Sequence, residues 1–394
     1  MRVLVCPLDW GLGHASRCVP LIRALLANGH QVRIGAAGGG LRLLRQEFPD
    51  LDAFEFPGYP VRYSRSPAFF LPVLLWQLPR MLLGMAAESR ELRRILADQP
   101  SDLVISDGRY GVFTPDVPSL FITHQIFLRT PSGFPGSAWL ARAVLALNLK
   151  ALRKFSRVWV PDFPGSDSLS GALSHNPCNL ENLEFIRPLA RFSPQGTGAS
   201  AEAPESRLHV DVLAVTSGPE PQRGLFEAAL RRELARLPGT RILIRGLPPV
   251  SSAAGEGPGL AAIRNGGLTV FDHLAGSDLS RLFACADLTV VRSGYTTVME
   301  LAGLGAKAVV LVPTPGQPEQ EYLAHHLEML GAGIRMDQRS LSIADARERL
   351  QGKTGFTRWR GGERKDGAGE PFSLERFLEA HPLLTKSVRK ARQL

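Results

Sequence analysis

The chain has 394 residues, 44% of them hydrophobic and 21% charged, with a formal net charge of +9. That length exceeds one ordinary core and predicts two domains, while the composition excludes a disordered or membrane-embedded chain. The cysteines Cys6, Cys18, Cys178 and Cys285 are scattered; without paired spacing they point to a reducing compartment and away from a structural zinc site.

The basic excess favours an acidic partner such as nucleic acid, anionic lipid or a phosphorylated substrate. With no zinc-finger spacing, aromatic RNA-binding motif or helix-turn-helix pattern, nucleic acid is not expected. Met1-Arg2-Val3-Leu4-Val5 runs straight into a strand and lacks the parts of a signal peptide, so a cytoplasmic location is expected.

Apolar runs at Val3–Cys6, Val32–Ala36, Leu103–Ser106, Leu120–Thr123 and Val158–Val160 predict buried strands. Between the first two, Val19–Ala27 predicts a helix that Asn28-Gly29 stops. Strand–helix–strand order implies a parallel sheet with helices on both faces.

The first strand leads into Gly11-Leu12-Gly13-His14-Ala15-Ser16-Arg17. A dinucleotide fingerprint needs a third glycine and an acid after the second strand. Here Ser16 stands in the third place and the second strand ends Ala36-Ala37-Gly38, which weakens an NAD reading. His14 lies instead on the ligand-binding edge of the sheet, where an imidazole is suited to take a proton from a hydroxyl. Asp107, at the end of the third strand, is the candidate acid to pair with it, with His124 as a competitor. Gly13, Arg17, Arg109 and His124 are the acceptor-side candidates; each has a plain structural reading as well.

Pro67 to Gly84 is unusually apolar, but Pro67, Pro72, Pro79 and Arg80 argue against a spanning helix. Packing beneath the first sheet is one reading; a lipid-facing surface for a lipid-linked acceptor, with Arg62, Arg65 and Arg80 toward anionic headgroups, is the other.

Residues 193–206 are rich in Ser, Pro and Gly and predict a linker between a first domain, 1–192, and a second, 207–351. Alternation restarts with strands at Val210–Val215, Ile242–Ile244, Leu268–Phe271, Leu288–Val291 and Ala308–Val312. Helices are expected at Arg223–Leu237, Leu279–Ala286, Thr297–Leu304 and Glu319–Leu330. Gly352–Gly369 predicts a mobile basic loop, and the remainder of 352–394 one or two terminal helices.

In the second domain, Arg292-Ser293-Gly294-Tyr295-Thr296-Thr297 joins a strand to a helix start. Helix N-termini attract pyrophosphate, Gly294 allows close approach, and Ser293, Thr296 and Thr297 add hydroxyls. Glu300, one turn on, is placed to accept ribose hydroxyls, although Thr297-x-x-Glu300 is also a capping-box pattern. One strand later, Pro313-Thr314-Pro315-Gly316-Gln317-Pro318 ends in Glu319, Gln320 and Glu321, groups fit for a polyhydroxylated ring. Helix capping is the plain alternative for Glu319. Thr216-Ser217-Gly218-Pro219 and Phe271-Asp272-His273 follow two other strands of this domain.

Ser293, Gly294, Thr297, Glu300, Pro313 to Pro315, Gln320, Tyr322 and Ala324 resemble the donor-binding domain of GT-B glycosyltransferases. They are most similar to the group containing the peptidoglycan N-acetylglucosaminyltransferase, the glycosyltransferase family 28 C-terminal domain. The resemblance implies an α/β fold of two Rossmann-like, doubly wound domains facing a cleft. It implies phosphate contacts around Ser293–Thr297, ribose contact by Glu300 and sugar contact by Glu319 and Gln320. Ser217 and Gly218 would touch the pyrophosphate, and Phe271 the uracil through its backbone. Glu321 replaces the second glutamine of the usual pair. The Gly-Leu-Gly-His14 turn resembles related enzymes in which the histidine is the base.

The expected activity is inverting, metal-independent transfer from a UDP-sugar co-substrate to a hydroxyl acceptor, with no other cofactor. The expected place is the cytoplasm, at the inner membrane face if 67–84 meets lipid. No Asp-x-Asp stands at a strand end, since Asp50-Leu51-Asp52 follows a helix and Pro49. A UDP-sugar 2-epimerase and a non-catalytic nucleotide-sugar-binding protein are the alternatives, with a dehydrogenase last.

Overall fold

The structure, a computed structural model, describes residues 1–58, 70–129, 136–192, 209–247, 263–274 and 276–362. The predicted linker 193–206 and the terminal helices beyond 362 lie outside the described residues. Contacts divide the chain into two compact units, with the change at Leu189–Ala190.

The first unit runs β1 (Arg2–Pro7), α1 (Gly13–Ala27), β2 (Gln31–Ala36), α2 (Gly38–Glu47), β3 (Asp52–Glu55), α3 (Phe70–Asp98) and β4 (Leu103–Asp107). It continues with β5 (Ser119–Ile122), α4 (Ser137–Leu152), β6 (Arg157–Pro161) and β7 (Leu183–Ile186). The strands form one sheet in the order β3-β2-β1-β4-β5-β6-β7, and every pairing is parallel. β1 shows why. Val3 and Val5 pack toward Ile22 and Leu25 of α1, while Leu4 and Cys6 pack toward Leu92 and Ile95 of α3. A strand covered on both faces is apolar throughout, and each such side chain contributes about 1.5–3 kcal/mol when removed from water.

The second unit contains β8 (Val212–Val215), α5 (Gln222–Ala235), β9 (Arg241–Ile244), β10 (Ile263–Asn265), β11 (Leu268–Phe271), α6 (Gly276–Cys285) and β12 (Thr289–Val291). After these come α7 (Tyr295–Leu304), β13 (Val309–Leu311), α8 (Pro318–Met329), β14 (Ile334–Arg335) and α9 (Ile343–Arg349). The strand order is β10-β11-β9-β8-β12-β13-β14, parallel except for β10. Phe226 and Leu230 of α5 and Ile343 and Ala346 of α9 join Val212, Leu243, Val290 and Val310 in its core.

Each sheet reverses direction once, between β1 and β4 in the first unit and between β8 and β12 in the second. Such a switch point leaves a crevice outside the carboxyl ends of the strands, where ligands of these sheets bind.

Two expectations need correction. Residues 352–362, expected as mobile loop, fold into turns and a 3-10 helix (Thr357–Gly362) with Phe356 and Trp359 buried. Phe356 donates its backbone N–H to the Ala306 carbonyl at 2.7 Å, so two aromatic anchors outweigh the glycines around them. The apolar stretch of α3 does not simply pack beneath the sheet. Trp76 and Leu83 are 69% and 72% exposed, with Leu78 and Leu82 exposed beside them, and it is Leu92 and Ile95, beyond the stretch 67–84, that pack on the sheet. No helix among the described residues is long and apolar enough to cross a membrane.

Arg109, expected on the acceptor side, is instead fully buried and joins three elements of the first unit. Its Nε donates to the Pro7 carbonyl at 2.6 Å, and its Nη1 donates to the Pro57 carbonyl at 2.6 Å and to Glu88 Oε1 of α3 at 2.7 Å. Removing one partner of a buried pair strands the other charge, at about 3–5 kcal/mol. Arg109→Met should therefore cost about that much in urea unfolding at pH 8. The loss should be smaller at pH 5, because burial already pushes the Glu88 carboxyl up to about 7 and a proton can then replace the guanidinium. Adding Glu88→Gln should restore most of it. A cost below ~1 kcal/mol at pH 8, the scale of an exposed pair, would show that the pair does not brace the unit.

Candidate active site

In the first unit, β1 and β4 pair in a register that sets Pro7 beside Asp107, and the Leu8 N–H donates to the Asp107 carbonyl at 2.9 Å. The Asp107 side chain ends the strand inside the protein, on the switch-point edge. α1 begins at Gly13 rather than at Val19, so His14 lies on its first turn and Arg17 at the start of the second. Gly11, at φ +93°, makes the bend that brings the chain back from β1.

Four of the predicted residues meet here. His14 Nδ1 is 3.1 Å from Asp107 Oδ1. Arg17 Nε donates to Asp107 Oδ2 at 2.7 Å, and its Nη2 donates to Oδ1. Nη1 of the same guanidinium lies 3.2 Å from His124 Nδ1. Gly108 follows Asp107 at φ +76°, and a Cβ there would come within 3.0 Å of His14 Cε1. The Asp-Gly pair after an apolar strand was the available sequence signal for that close approach.

Burial would raise the Asp107 carboxyl, but the Arg17 charge and the His14 contacts outweigh it and hold the group well below the usual carboxylate range. His14 is held below its ordinary value, first by burial and then by Arg17, against the upward pull of Asp107. A histidine in that state is neutral at pH 7 and able to accept a proton. Arg17, expected to reach an acceptor, is only 2% exposed and is engaged inside the site.

In the second unit, Ser217 and Gly218 follow β8, Phe271 ends β11, the Ser293–Thr297 loop follows β12, and Gly316, Glu319 and Gln320 follow β13. All stand at the carboxyl edge of one sheet. The N-cap of α7 is Gly294, so Glu300 lies in the second turn and the Thr297-x-x-Glu300 capping box does not form. Glu300 is buried, with Oε1 3.6 Å from Arg191 Nε and without a hydrogen bond at that oxygen. Burial raises its carboxyl, against Arg191.

Gly294 has an ordinary φ of −75°, and a Cβ added there would meet no atom within 4 Å. Its backbone would accept any residue, and the space beside it is open.

The polar side chains of these loops also hold one another. Ser293 Oγ donates to the Gln320 carbonyl at 2.8 Å, so that hydroxyl proton is not available to a phosphate. Gln320 Oε1 accepts from the Thr314 N–H at 2.8 Å, and Glu321 Oε1 from the Gly316 N–H at 2.9 Å. Gln320 still has its amide N–H2 group and the second lone pair of Oε1 to offer a sugar.

Sequence reasoning missed Arg191 and Arg292. Arg292 is buried over the Phe226 ring, with Nη1 2.9 Å from the Pro313 carbonyl and Nη2 3.1 Å from the Gln222 carbonyl. It thereby ties the loop after β13 to the start of α5. A charge directly after an apolar strand was its signal; Arg191 had none.

Among the described residues, one group has metal-ligand character: His209, Asp211 and Asp287, whose ligand atoms lie within 4.8 Å of one another. It sits before β8 and β12, at the opposite edge of the sheet from these loops.

Residues 271–353 match the family model described as glycosyltransferase family 28 C-terminal domain. An uncharacterized glycosyltransferase of Methanosarcina acetivorans is 26% identical over 351 residues, covering 85% of this chain and 84% of the relative. A UDP-N-acetylglucosamine–N-acetylmuramyl-(pentapeptide) pyrophosphoryl-undecaprenol N-acetylglucosamine transferase of Marinobacter nauticus is 26% identical over 350 residues, covering 84% and 82%. The solved structure of spinosyn rhamnosyltransferase SpnG aligns with a TM-score of 0.62 at 21% identity, over 96% of this chain and 100% of its own. The glycosyltransferase SnogD from Streptomyces nogalater aligns with a TM-score of 0.57 at 18% identity, over 91% and 93%. These two likenesses are of fold, while the family match falls on the loops from Phe271 to Gln320. The chain is a glycosyltransferase of the GT-B fold, and its residues 271–353 match the glycosyltransferase family 28 C-terminal domain.

Proposed function

We propose that the protein transfers a sugar from a UDP-sugar to a hydroxyl acceptor, with inversion and without a metal. The observation that carries this reading is His14, kept neutral beside a buried carboxylate at the ligand-binding edge. With the Nδ1 proton donated to Asp107, the Nε2 lone pair takes the acceptor hydroxyl proton. The acceptor oxygen then forms its bond to the anomeric carbon as the bond from that carbon to the diphosphate oxygen breaks. Attack opposite the leaving group inverts the centre.

In this reading the departing charge is met by the first turn of α7, whose amides and positive end face the loop at Gly294, Thr296 and Thr297. Ser217 and Gly218 add a second turn on the diphosphate, and Phe271 lies toward the base. A ribose hydroxyl would give Glu300 Oε1 the hydrogen bond it lacks. Gly316, Glu319 and the Gln320 amide would hold the sugar. The Marinobacter nauticus relative is named for UDP-N-acetylglucosamine, which makes that the first donor to try. All the relatives and solved structures named above are transferases, which favours transfer over epimerisation or binding alone.

The acceptor side supports a lipid-linked substrate. Trp76, Leu78, Leu82 and Leu83 leave an exposed apolar face on α3, with the Arg80 guanidinium 4.7 Å from the Trp76 ring. An aromatic and aliphatic face with a basic residue suits the interfacial region of an anionic membrane. The protein would then work from the cytoplasmic side.

His14→Ala should lower turnover by about 10²–10⁴, the usual range for a general base, measured as UDP released to polyprenyl-diphosphate-linked and free sugar acceptors. Donor affinity should not change. Because the base must be unprotonated, wild-type kcat/KM should be flat near neutrality and fall as pH drops through a value below 6.5. A variant that keeps the wild-type rate would remove His14 from the chemistry. Gly294→Ala should leave stability within about 1 kcal/mol, the scale of an N-cap change, yet weaken UDP binding at least tenfold because the methyl enters the open space. Unchanged UDP affinity would mean that no phosphate approaches that loop.

A further inference from the structure

A carboxylate beside a histidine ordinarily favours the imidazolium and raises its pKa. A buried aspartate alone would thus leave the base protonated where it is needed neutral. Asp107 is not alone. Arg17, one helical turn beyond His14 on α1, engages both carboxylate oxygens through Nε and Nη2. The same Nη2 stands 3.1 Å from His14 Nδ1, and Nη1 stands 3.2 Å from His124 Nδ1.

A guanidinium only donates. The His124 nitrogen facing it is therefore placed to accept. At His14, Nδ1 faces both Arg17 Nη2, which only donates, and Asp107 Oδ1, which only accepts. Nη2 already gives a proton to Oδ1, whose second lone pair can take Nδ1–H, and that is the arrangement a base at Nε2 requires. The fork fixes the plane of the carboxylate, and a fixed carboxylate fixes the imidazole that donates to it.

The charged and titratable groups facing the His14 ring come from three elements. Arg17 lies on α1, Asp107 on β4 and His124 beyond β5. Cys18, also on α1, touches the far carboxylate oxygen at 3.5 Å. With Arg17 and Asp107 opposed, the ring sees a nearly neutral pair rather than a bare anion.

We propose that Arg17 is a positioning residue for the base: it holds Asp107 by both oxygens and cancels its charge, so that His14 stays neutral with its proton on Nδ1 and its lone pair on Nε2. This rests on the reading of His14 as the base.

Three measurements on the full chain test it. In wild-type protein, ¹⁵N NMR should place the His14 proton on Nδ1 and show the ring titrating below 6.5; a proton on Nε2, or titration above that value, overturns the proposal. Arg17→Met removes the cation, so the acid limb of kcat/KM should move up by about 1 pH unit or more. Arg17→Lys keeps the charge but cannot grip both oxygens, so its acid limb should stay near the wild-type position while kcat falls. An Arg17→Met limb that coincides with wild type overturns the proposal. Should Arg17→Met fail to fold, the NMR titration and an Arg17→Lys limb displaced upward, against expectation, decide in its place. If His14→Ala itself turns over normally, the catalytic reading has failed, and the tautomer and titration of His14 still judge the role of Arg17 separately.

Discussion

A carboxylate placed in the interior at the end of a strand must have its charge answered within the protein, since an isolated buried ion is very costly. Asp107 imposes that constraint, and the surrounding segments meet it. Its strand is fixed by pairing with β1, Gly108 turns away at positive φ, and α1 starts early enough to bring both His14 and Arg17 to the carboxylate. The bend at Gly11 serves the same end. A single buried charge thus links the glycine turn, the helix start and the state of the imidazole.

The second unit meets a related problem with less complete compensation. Glu300 is buried on α7, faces Arg191 at 3.6 Å and retains an oxygen without a hydrogen bond. Around it the loops are braced from within, by Ser293 to Gln320, Thr314 to Gln320 and Gly316 to Glu321. Loops held by their own hydrogen bonds are ordered before any ligand arrives, which reduces the entropy lost on binding.

The alternation of strand and helix was legible because parallel strands buried on both faces read as continuous apolar runs, as in Leu103–Ser106. Element boundaries were less so. α1 begins six residues before Val19, since Gly13 and Ser16 carry no helical periodicity and no side chain caps the start. The strands β3, β7, β10 and β14 were not anticipated: they are the outer strands of the two sheets, and segments such as Asp52–Glu55 are not the continuous apolar run of a strand covered on both faces. His14, Asp107 and His124 were each placed by strand-end logic, and they do converge with Arg17. That Arg109 and Arg17 point inward could not be read, because nothing local separates a buried arginine from a solvated one. The capping box at Thr297 was a local pattern that lost to Gly294 as the actual N-cap.

The reading as a UDP-sugar transferase depends on the loops after β8, β11, β12 and β13 binding a nucleoside diphosphate. Calorimetric titration with UDP, in EDTA, tests that most directly. The account predicts saturable binding at one site per chain, much weaker in Glu300→Ala because the ribose contact is gone. Absence of binding by UDP, dTDP and their sugars alike, with the protein folded, would contradict it.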